Sequence, residues 1–567
     1  MYTSQDLKDL LLRINKKGYP AYKETKGQYA FTDYVLSIDH VQGDPFASPS
    51  RISIQIKGQK AGFPTHLYDT YETRIALQDS LLRRFGKQLE SYSFQAKGSG
   101  KSGLLTISKP GPEILERTAC SMDSNTGDLI LRLEVGFPAN GRTINSRELL
   151  RIFFDFLPLC IKDALFYSRW NPQELEKIRA LAEDQTYIRS QLASRNLTAF
   201  LANGSILPRQ SGVSSKPMKD GIPFHSPSSL EVTLDLPNHG PIKGMGIPTG
   251  ITLIVGGGYH GKSTVLKALE LGVYNHIAGD GREYVITSAD AVKIRAEDGR
   301  SIKHTDISMF INDLPNQKDT HAFYTEDASG STSQAANVAE ALEASSHLLL
   351  IDEDTSATNF LIRDELMQRV VHRDQEPITP FIERIQWLYQ QKAVSSVLVA
   401  GSFGSYFHVA DTIIQMDHYQ PVDITVYAKE EAKAFPSIES SAPSSLPAYK
   451  QRIIQPDAGF RTDRKLKLKT QGLDSITVQH ETIDLRYLEQ LVDSEQVLAL
   501  ASILRYAQCH LFNGKDSFQE CMKRLESLLT EQGFLLFKEY GGLSPHLAMP
   551  RMQEIFSCIN RYRSLKI

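Results

Sequence analysis

The sequence predicts an α/β core flanked by an α+β N-terminal domain and a mainly helical C-terminal domain. Two segments in the middle third, 251–255 and 348–351, are continuous runs of apolar and β-branched residues, of the kind that form buried parallel strands. A glycine-rich loop and a segment with helical spacing follow the first run, and two acidic residues follow the second. The C-terminal segment has mostly the spacing of amphipathic helices, which completes the pattern of an α/β core with flanking domains.

The chain of 567 residues is too long for a single core, and such a length predicts about three domains. Segments rich in proline, glycine and serine at 207–217 and 436–447 mark two boundaries. We therefore expect an N-terminal domain at 1–210, a core at 211–432, a linker at 433–450 and a C-terminal domain at 451–567.

The N-terminal domain contains segments in which apolar residues have strand spacing and segments in which they have helical spacing. Residues 51–56 alternate between apolar and polar side chains, which predicts a strand. Residues 74–85 and 147–167 have apolar side chains at helical spacing. This mixture is the reason to predict an α+β domain rather than a helical bundle.

The bulk composition excludes several classes of protein. A net charge of −3 excludes a uniformly basic nucleic-acid coat, so a polyanion would need a local basic patch. No apolar run approaches the roughly 20 residues that cross a bilayer, and the first residues lack the apolar core of a signal peptide. The five cysteines are scattered without C-x-x-C spacing, which argues against a zinc ribbon. We expect a cytoplasmic protein without a transmembrane partner.

A glycine-rich loop follows the first apolar run directly. Residues 256–263 fit the pattern G-x-x-x-x-G-K-S, and residues 264–269 have helical spacing. In this context the backbone N–H groups and the helix N-terminus attract phosphate. The pattern predicts an ATP-binding loop, in which Lys262 reaches the β and γ phosphates and Ser263 ligates Mg²⁺. The predicted nucleotide-binding residues of the loop are Gly256, Gly257, Gly258, Tyr259, His260, Gly261, Lys262, Ser263 and Thr264.

Asp352 and Glu353 end the second apolar run. An acid at this place can join the shell of Mg²⁺, and an adjacent acid can polarise an attacking water. The pair therefore predicts Asp352 as a metal ligand and Glu353 as the catalytic base, with Lys262 as the third catalytic residue. An ordinary solvated strand end is the alternative, and the phosphate loop upstream disfavours it.

Small residues, Ser329, Gly330 and Ser331, precede the helical segment 335–343. Hydroxyl residues and glycine at a helix start predict a second anion site. A plain helix cap is the alternative. The distance of 23 positions between Ser329 and Asp352 argues against it.

This order of motifs resembles the signature of ABC-class ATPases, and residues 354–359 resemble their D-loop. The wider strings at 256–264, 279–283, 296–300, 328–336 and 351–360 are similar to those of the predicted ABC-class ATPase family, whose members are not transporters. That family occurs in bacteria and in kinetoplastid mitochondria, where its member is associated with RNA editing and binds RNA. The resemblance runs from near Gly62 into the C-terminal segment.

The resemblance implies a P-loop ABC-type core with two composite sites in a homodimer. Ser329 and Gly330 of one copy would act on ATP held by Lys262 and Ser263 of the other. It also implies that Gln317 is the glutamine that contacts Mg²⁺.

The sequence departs from the family pattern at several positions. Ser331 replaces the second glycine of the signature, and Asn359 replaces the D-loop aspartate. Gly401 and Ser402 follow the apolar run 396–400 where a switch histidine is expected. No aromatic residue stands where the adenine-stacking residue usually lies. The γ-phosphate sensor and the adenine contact therefore remain unassigned by the sequence.

The N-terminal domain carries an excess of basic residues. Between residues 51 and 109 there are ten Lys or Arg and four Asp or Glu, with aromatic residues interleaved. Basic side chains bind phosphates and aromatic faces stack on unpaired bases. Composition alone slightly favours an ordinary solvated surface, whereas the resemblance favours RNA. A basic alternating segment at 464–469 fits an RNA contact and a charged edge strand equally well. The candidate RNA-binding residues are Arg74, Arg83, Arg84, Lys87, Lys97, Lys101, Lys465, Lys467 and Lys469.

Three functions remain open. The leading hypothesis is a homodimeric ATPase that acts on RNA through its flanking domains. The second is the ATPase subunit of a membrane transporter, which the short stretch between Lys262 and Ser329 disfavours because it leaves little room for the helical subdomain that grips membrane partners. The third is a nucleotide-binding scaffold with negligible turnover, which the missing switch histidine keeps open.

Overall fold

The computed structural model describes residues 1–363, 370–371, 375–435, 451–457, 459–460, 466–538 and 542–567. The predicted linker lies mostly outside these residues, and so does Lys465. The chain forms two compact units. One contains Met1–Glu183 and Gln532–Met549, and the other contains Asp184–Glu531 and Pro550–Ile567.

The first unit mixes short strands and helices. Its strands are β1 (Tyr2–Thr3), β2 (Gly27–Ala30), β3 (Val35–His40), β4 (Ser50–Ile56), β5 (Leu105–Thr106), β6 (Glu113–Ile114), β7 (Cys120–Met122), β8 (Leu129–Val135), β9 (Ala139–Asn140) and β10 (Thr143–Ile144). Its helices are α1 (Ser4–Ile14), α2 (Gly58–Ala61), α3 (Tyr71–Tyr92), α4 (Ser146–Leu150) and α5 (Leu157–Ala164). A further helix, α6 (Pro172–Ser194), begins in this unit and ends in the second.

The main sheet of the first unit has the strand order β1-β2-β3-β4-β8-β5, and β7 also pairs with β8. The predicted strand at 51–56 is confirmed as part of β4, and the predicted helix at 74–85 lies within α3. Ile52 and Ile54 of β4 pack in one apolar cluster with Leu81 and Phe85 of α3. Because α3 buries this stripe, its opposite face carries the exposed Lys87.

The second unit contains the remaining strands and helices. Its strands are β11 (Leu197–Ala202), β12 (Glu231–Leu236), β13 (Gly240–Pro248), β14 (Ile251–Val255), β15 (Asn275–His276), β16 (Val285–Thr287), β17 (Val292–Ile294), β18 (Arg300–Thr305), β19 (Phe323–Ala328), β20 (Leu348–Asp352), β21 (Ser395–Val399), β22 (Thr412–Asp417), β23 (Gln420–Asp423), β24 (Leu468–Gln471), β25 (Ser475–Val478) and β26 (Glu481–Asp484). Its helices are α7 (Lys262–Leu271), α8 (Gly330–Glu343), α9 (Thr358–Leu361), α10 (Phe381–Lys392), α11 (Tyr406–Val409), α12 (Thr425–Ala432), α13 (Ser494–Tyr506), α14 (Phe518–Gln532) and α15 (Met552–Asn560). Among all described residues, no helix is long and apolar enough to cross a membrane.

The central sheet of the second unit has the order β17-β20-β21-β14-β22-β23. Within this sheet, neighbouring strands are parallel except for the edge strand β23, which is antiparallel to β22. Leu253 of β14 and Leu349 of β20 are fully buried, as strands covered on both faces require. The predicted α/β core is therefore confirmed, and both apolar runs are strands of this one sheet.

A second, antiparallel sheet has the order β12-β13-β11-β16. Leu234, Phe200 and Ile286 of this sheet form an apolar cluster with Ile188 of α6. The boundary that the sequence predicts near residue 210 falls between β11 and β12, and both of these strands pair with β13.

The C-terminal part of the second unit contains the small sheet β24-β25-β26 and helices α13, α14 and α15. The prediction of a mainly helical C-terminal region is confirmed. Lys467 and Lys469 are exposed at the start of β24, whereas the neighbouring Leu466 is buried. The alternation predicted for this basic segment is thus present in its described residues.

Buried ion pairs surround helix α8. Arg300 of β18 pairs with Glu340 on the helix, and Arg452 pairs with Glu343. These four side chains are each at most 5% exposed. Because removing one partner of a buried pair leaves an uncompensated charge, the pairs fix the position of α8 strongly.

Candidate active site

The phosphate loop connects β14 to the N-terminus of α7. Gly256 has φ of 138°, and a Cβ there would lie 2.5 Å from the carbonyl oxygen of Met416. Gly261, the last residue before the helix, has φ of 96°. Both positions therefore require glycine, one because of close backbone approach and one because of its left-handed conformation. The turn into α7 directs the free N–H groups of the helix toward the loop.

Lys262 is the first residue of α7, and its side chain folds over the loop. Its Nζ donates hydrogen bonds to the carbonyl oxygens of Gly256 at 2.7 Å and Gly257 at 2.8 Å. Ser263 follows on the helix and is exposed, whereas Thr264 is half-buried. The cation and the hydroxyl that the pattern predicts are thus both presented at the helix N-terminus.

Asp352 lies beside the phosphate loop because of the sheet register. Val399 of β21 is the register partner of Ile254 on β14 and of Asp352 on β20. Adjacent strands are about 4.8 Å apart, so the ends of β14 and β20 are separated by one strand, about 10 Å. Burial raises the pKa of Asp352, and the nearby cation of Lys293 acts in the opposite direction. Sequence reasoning did not single out Lys293, which is buried and pairs with Glu270 of α7.

Glu353 is held by the loop that follows β21. Its Oε2 accepts hydrogen bonds from the backbone N–H of Gly401 at 2.5 Å and of Ser402 at 3.1 Å. Its Oε1 accepts a hydrogen bond from the Ser402 hydroxyl. The sequence places Gly401 and Ser402 where a switch histidine was expected, but their contact with Glu353 is visible only in the structure. The carboxylate of the predicted base is therefore oriented by three donors from one loop.

Ser329 occupies the N-cap position of helix α8 without a side-chain capping hydrogen bond and is exposed, whereas Ser331 on the first turn is buried. Gly330 is closely surrounded, because a Cβ there would lie 3.3 Å from Asp298 Oδ1 and 3.6 Å from the Cβ of Ala357. The signature therefore packs against the D-loop segment of the same chain. The exposed hydroxyl of Ser329 lies 3.0 Å from the hydroxyl of Thr332.

Gln334 joins helix α8 to the end of β20. Its Oε1 accepts a hydrogen bond from the N–H of Ala357 at 2.8 Å, and its Nε2 donates to the Ser356 hydroxyl at 2.9 Å. Ser356 in turn donates to the carbonyl oxygen of Asp352 at 2.8 Å. The side chain of Gln334 is fully buried, so these bonds form a rigid link between the signature helix and the acidic strand end.

Gln317, the predicted magnesium-contacting glutamine, lies in a turn between β18 and β19. Its φ is 56°, and it is exposed. Its backbone N–H donates to the carbonyl of Leu314 at 2.8 Å. These contacts place it on the surface of the second unit, and its role toward Mg²⁺ stays a prediction.

An apolar cavity of about 240 Å³ borders the phosphate loop. One wall is formed by Gly261, Val265 and Tyr419, and the other by residues of the segment 207–224. The segment 207–217 has the composition of a boundary or a functional loop. In the structure, part of this segment lies beside the phosphate loop. Sequence reasoning missed Tyr419 as an aromatic neighbour of the loop, because it lies more than 150 positions away from Lys262.

Two of the predicted RNA-binding residues have partners within the first unit. Arg83 pairs with the buried Asp79 at 2.5 Å and also donates to the carbonyl oxygens of Pro110 and Gly111. Arg84 pairs with Asp163 at 3.1 Å, and its guanidinium lies 4.4 Å from the ring centre of Trp170. Burial raises the pKa of Asp79 although Arg83 stabilises its charged form. These two arginines have structural roles whether or not RNA binds.

Other candidates are more accessible. Lys87 and Lys97 are exposed, whereas Lys101 and Arg74 are half-buried. Phe94, between the two exposed lysines in sequence, is 52% exposed. An open groove of about 580 Å³ on the first unit is lined by Lys87, Phe94 and the segment 104–110.

A curated relative covers part of the chain. The uncharacterized protein MJ1628 of Methanocaldococcus jannaschii is 29% identical over 269 residues. The match spans 45% of this chain and 59% of that relative, so this chain covers less than two thirds of the relative's length.

Solved structures of ATP-binding cassettes are similar at a low level. The ADP conformation of MJ1267, an ATP-binding cassette of an ABC transporter, is 11% identical, with a TM-score of 0.26 and coverage of 41% of this chain and 94% of that chain. The protein cbiO1 from Clostridium perfringens, part of the ABC transporter complex cbiONQ, is 13% identical, with a TM-score of 0.25 and coverage of 42% and 93%. Similarity at this level carries no inference about function.

Three family models match consecutive parts of the chain. The N-terminal domain of ATPases of the ABC class matches residues 4–168, and the P-loop domain of the ABC ATPases matches residues 171–452. The MRB1590 C-terminal domain matches residues 467–567. Together with the phosphate loop and the acidic strand end, these matches show that the chain belongs to the family of ABC-class ATPases.

Proposed function

We propose that this chain hydrolyses ATP to ADP and phosphate in a homodimer with two composite sites. The observation that carries the proposal is the fixed carboxylate of Glu353, which three donors from residues 401 and 402 hold at the sheet edge that also carries the phosphate loop. A carboxylate held in this way can accept a proton from an attacking water. Lys262 and the N-terminus of α7 supply positive charge for the phosphates.

The oxygen donors of the site suit Mg²⁺. Ser263 offers a hydroxyl at the helix N-terminus, and Asp352 offers a carboxylate on the neighbouring strand end. Hydroxyl and carboxylate oxygens are ligands that Mg²⁺ prefers. Bound Mg²⁺ would neutralise charge on the phosphates during transfer. Burial raises the pKa of Asp352, and a divalent cation bound beside it would favour the charged carboxylate.

The composite arrangement is supported by the exposure of the signature. Ser329 presents its hydroxyl to solvent at the start of α8, while Gly330 packs against Asp298 and Ala357. An exposed helix N-terminus with a serine cap is suited to a phosphate brought by a second copy. Gln334 connects this helix to Asp352, so closure of the dimer would be transmitted to the strand end that carries both acids.

The cavity beside the phosphate loop is the best candidate for the nucleotide base. Tyr419 and Val265 supply an aromatic face and an apolar surface adjacent to Gly261. Aromatic and apolar linings with few polar groups are typical of sites for planar ligands.

We also propose that the first unit contacts single-stranded RNA. The groove lined by Lys87 and Phe94 combines an exposed cation with an exposed aromatic ring, and Lys97 lies close by in sequence. Cations bind phosphates and aromatic faces stack on bases without sequence preference. The exposed Lys467 and Lys469 of the C-terminal region are a second candidate contact.

Replacement of the loop lysine tests nucleotide binding. Lys262→Ala removes the charged donor of the phosphate site, so ATP affinity should fall by about 10- to 150-fold, as expected for a lost hydrogen bond to a charged group. Isothermal titration measures this change. Thermal unfolding should be unchanged, because the hydrogen bonds of the Lys262 side chain to described residues go to two carbonyl oxygens of its own loop. Normal ATP affinity in this variant would refute the assignment of the loop.

Replacement of the catalytic base tests hydrolysis. Glu353→Gln keeps the shape of the side chain and removes its basicity, so steady-state turnover should fall by about 100- to 10,000-fold while ATP binding remains. Since hydrolysis would no longer open the interface, ATP should accumulate a dimer that light scattering detects. Unchanged turnover would show that Glu353 is not the base. Negligible turnover in the unmodified protein would instead favour the nucleotide-binding scaffold.

The hydroxyl of Ser402 provides a finer test. Ser402→Ala leaves Glu353 in place but removes one of its three donors, so turnover should fall by roughly tenfold with little change in ATP affinity. Ser405→Ala, in the same loop, is the matched control because the donors to Glu353 come from Gly401 and Ser402. Equal turnover in the two variants would mean that Ser402 does not position the base.

Charge reversal at Lys87 in the groove and at Lys97 nearby in sequence tests RNA binding. Replacing Arg83 and Arg84 would also break their ion pairs with Asp79 and Asp163, so Lys87→Glu with Lys97→Glu is the cleaner double variant. It should weaken binding of a single-stranded RNA and reduce the log–log salt slope, which is about −0.7 per phosphate neutralised. Fluorescence anisotropy at several salt concentrations measures both quantities.

The matched control for this experiment changes the net charge equally at other helices. Lys8→Glu on α1 with Lys177→Glu on α6 replaces two exposed lysines. It should leave RNA affinity close to that of the unmodified protein. If both double variants bind RNA equally well, the groove is not the RNA site, and Lys467 and Lys469 become the residues to replace.

A further inference from the structure

The hairpin between β22 and β23 has an unusual two-residue turn. Asp417 and Gln420 are register partners, so His418 and Tyr419 alone form the turn, with φ of 45° and 69°. Positive φ at both positions is the conformation for which Asn-Gly is strongly preferred. A histidine and a tyrosine in this conformation are disfavoured by their Cβ atoms. Their presence here is consistent with a role for the two side chains.

This turn lies against the phosphate loop. The N–H of His418 donates a hydrogen bond to Nδ1 of His260 at 3.0 Å, and the two imidazole rings are 5.1 Å apart. A Cβ at Gly261 would lie 3.2 Å from Tyr419. His260 belongs to the loop pattern, but its side chain faces the turn.

Three ligand atoms meet between the loop and the turn. Oδ1 of Asp417 lies 3.4 Å from Nδ1 of His260 and 2.7 Å from Nδ1 of His418. Ligand atoms about 2.0 Å from a tetrahedral zinc ion are about 3.3 Å apart. The first distance is close to this spacing and the second is shorter, and one ligand atom from each of the three residues lies within 4.8 Å of the other two.

We propose that His260, Asp417 and His418 bind one divalent transition-metal ion, of which Zn²⁺ is the best probe. Two imidazoles and one carboxylate suit Zn²⁺ and related ions, whereas Mg²⁺ prefers an all-oxygen set. The site is thus chemically distinct from the Mg²⁺ position at Ser263 and Asp352. Its fourth position faces solvent, since the side chain of His418 is 86% exposed and that of Asp417 is 53% exposed.

Metal binding changes two hydrogen bonds at the site. The 2.7 Å contact joins Nδ1 of His418 to Oδ1 of Asp417, and in neutral His418 the shared proton moves from Nδ1 to Nε2 when Nδ1 binds the metal. Nδ1 of His260 exchanges the hydrogen bond from the His418 N–H for the metal. The exposed N–H of His418 can then be hydrated.

The bound ion would cross-link the phosphate loop to the hairpin turn. His260 lies two positions before Lys262, and Tyr419 follows His418 at the wall of the base cavity. A metal at this place would fix the wall of the proposed base cavity to which Gly261 and Tyr419 belong. Metal binding itself does not depend on the proposed hydrolysis, so it can be measured without nucleotide.

Equilibrium dialysis of the full chain against Zn²⁺ alone tests the site, after accessible thiols have been alkylated so that cysteines do not contribute ligands. The unmodified protein should bind one equivalent. His418→Asn should bind Zn²⁺ roughly tenfold or more weakly, since losing even a hydrogen-bond partner of a metal ligand weakens affinity by about 10–100-fold. Asparagine tolerates the left-handed conformation, so the turn should still form, and an unchanged thermal unfolding midpoint verifies it.

Two further variants make the result specific. Asp417→Asn should weaken Zn²⁺ binding in the same way. His347→Asn is the matched control, because His347 forms a similar 2.7 Å pair with Asp290 on an exposed surface but with a single imidazole. Zn²⁺ binding by the control should equal that of the unmodified protein. Less than one equivalent bound by the unmodified protein, or an unchanged affinity in His418→Asn, would overturn the proposal.

Discussion

The candidate active site depends on the parallel register of β14, β20 and β21, because this register brings distant parts of the chain to one sheet edge. Val399 is opposite both Ile254 and Asp352, so the phosphate loop, the acidic pair and the loop after β21 all begin at the same level. Residues that follow neighbouring strands at the same level of the sheet lie close together, so their side chains can contact one another. A shift of β20 by one position would turn the side chain of Asp352 to the other face of the sheet. Because the leucines of β20 are buried, they oppose such a shift and so help to keep Asp352 in place.

Local patterns in the sequence predicted the parts of the site that are contiguous. The phosphate loop and the acidic strand end could be recognised because each needs only a strand, a turn and a few adjacent residues. Contacts between distant segments could not be predicted in this way. The hydrogen bonds from Ser402 to Glu353 and from the N–H of Ala357 to Gln334 join residues more than 20 positions apart, and neither has a periodic signal. For the same reason, the sequence did not reveal that Tyr419 lies beside the phosphate loop.

Charge counting was informative about the excess of basic residues but not about their partners. Arg83 and Arg84 look like surface cations on a helix, yet Asp79 and Asp163 engage them within the first unit. Asp79 lies one helical turn before Arg83 and could have been noticed from its spacing, whereas Asp163 could not. Lys87 is on the same helix and is exposed. Whether a basic residue can reach RNA therefore depends on its position and partners, and the number of basic residues in the segment does not show it.

A buried ion pair and a hydrogen bond connect helix α8, which begins with the signature, to the end of the chain. Arg561, which directly follows α15, pairs with Glu297, and both side chains are at most 5% exposed. Glu297 in turn receives a hydrogen bond from Asn337 on α8. A shortened chain that ended before residue 550 would remove Arg561, the larger of the two cationic influences on this carboxylate, and leave Arg300 as the other. The final segment therefore helps to stabilise the position of helix α8, although it lies more than 200 positions away in sequence.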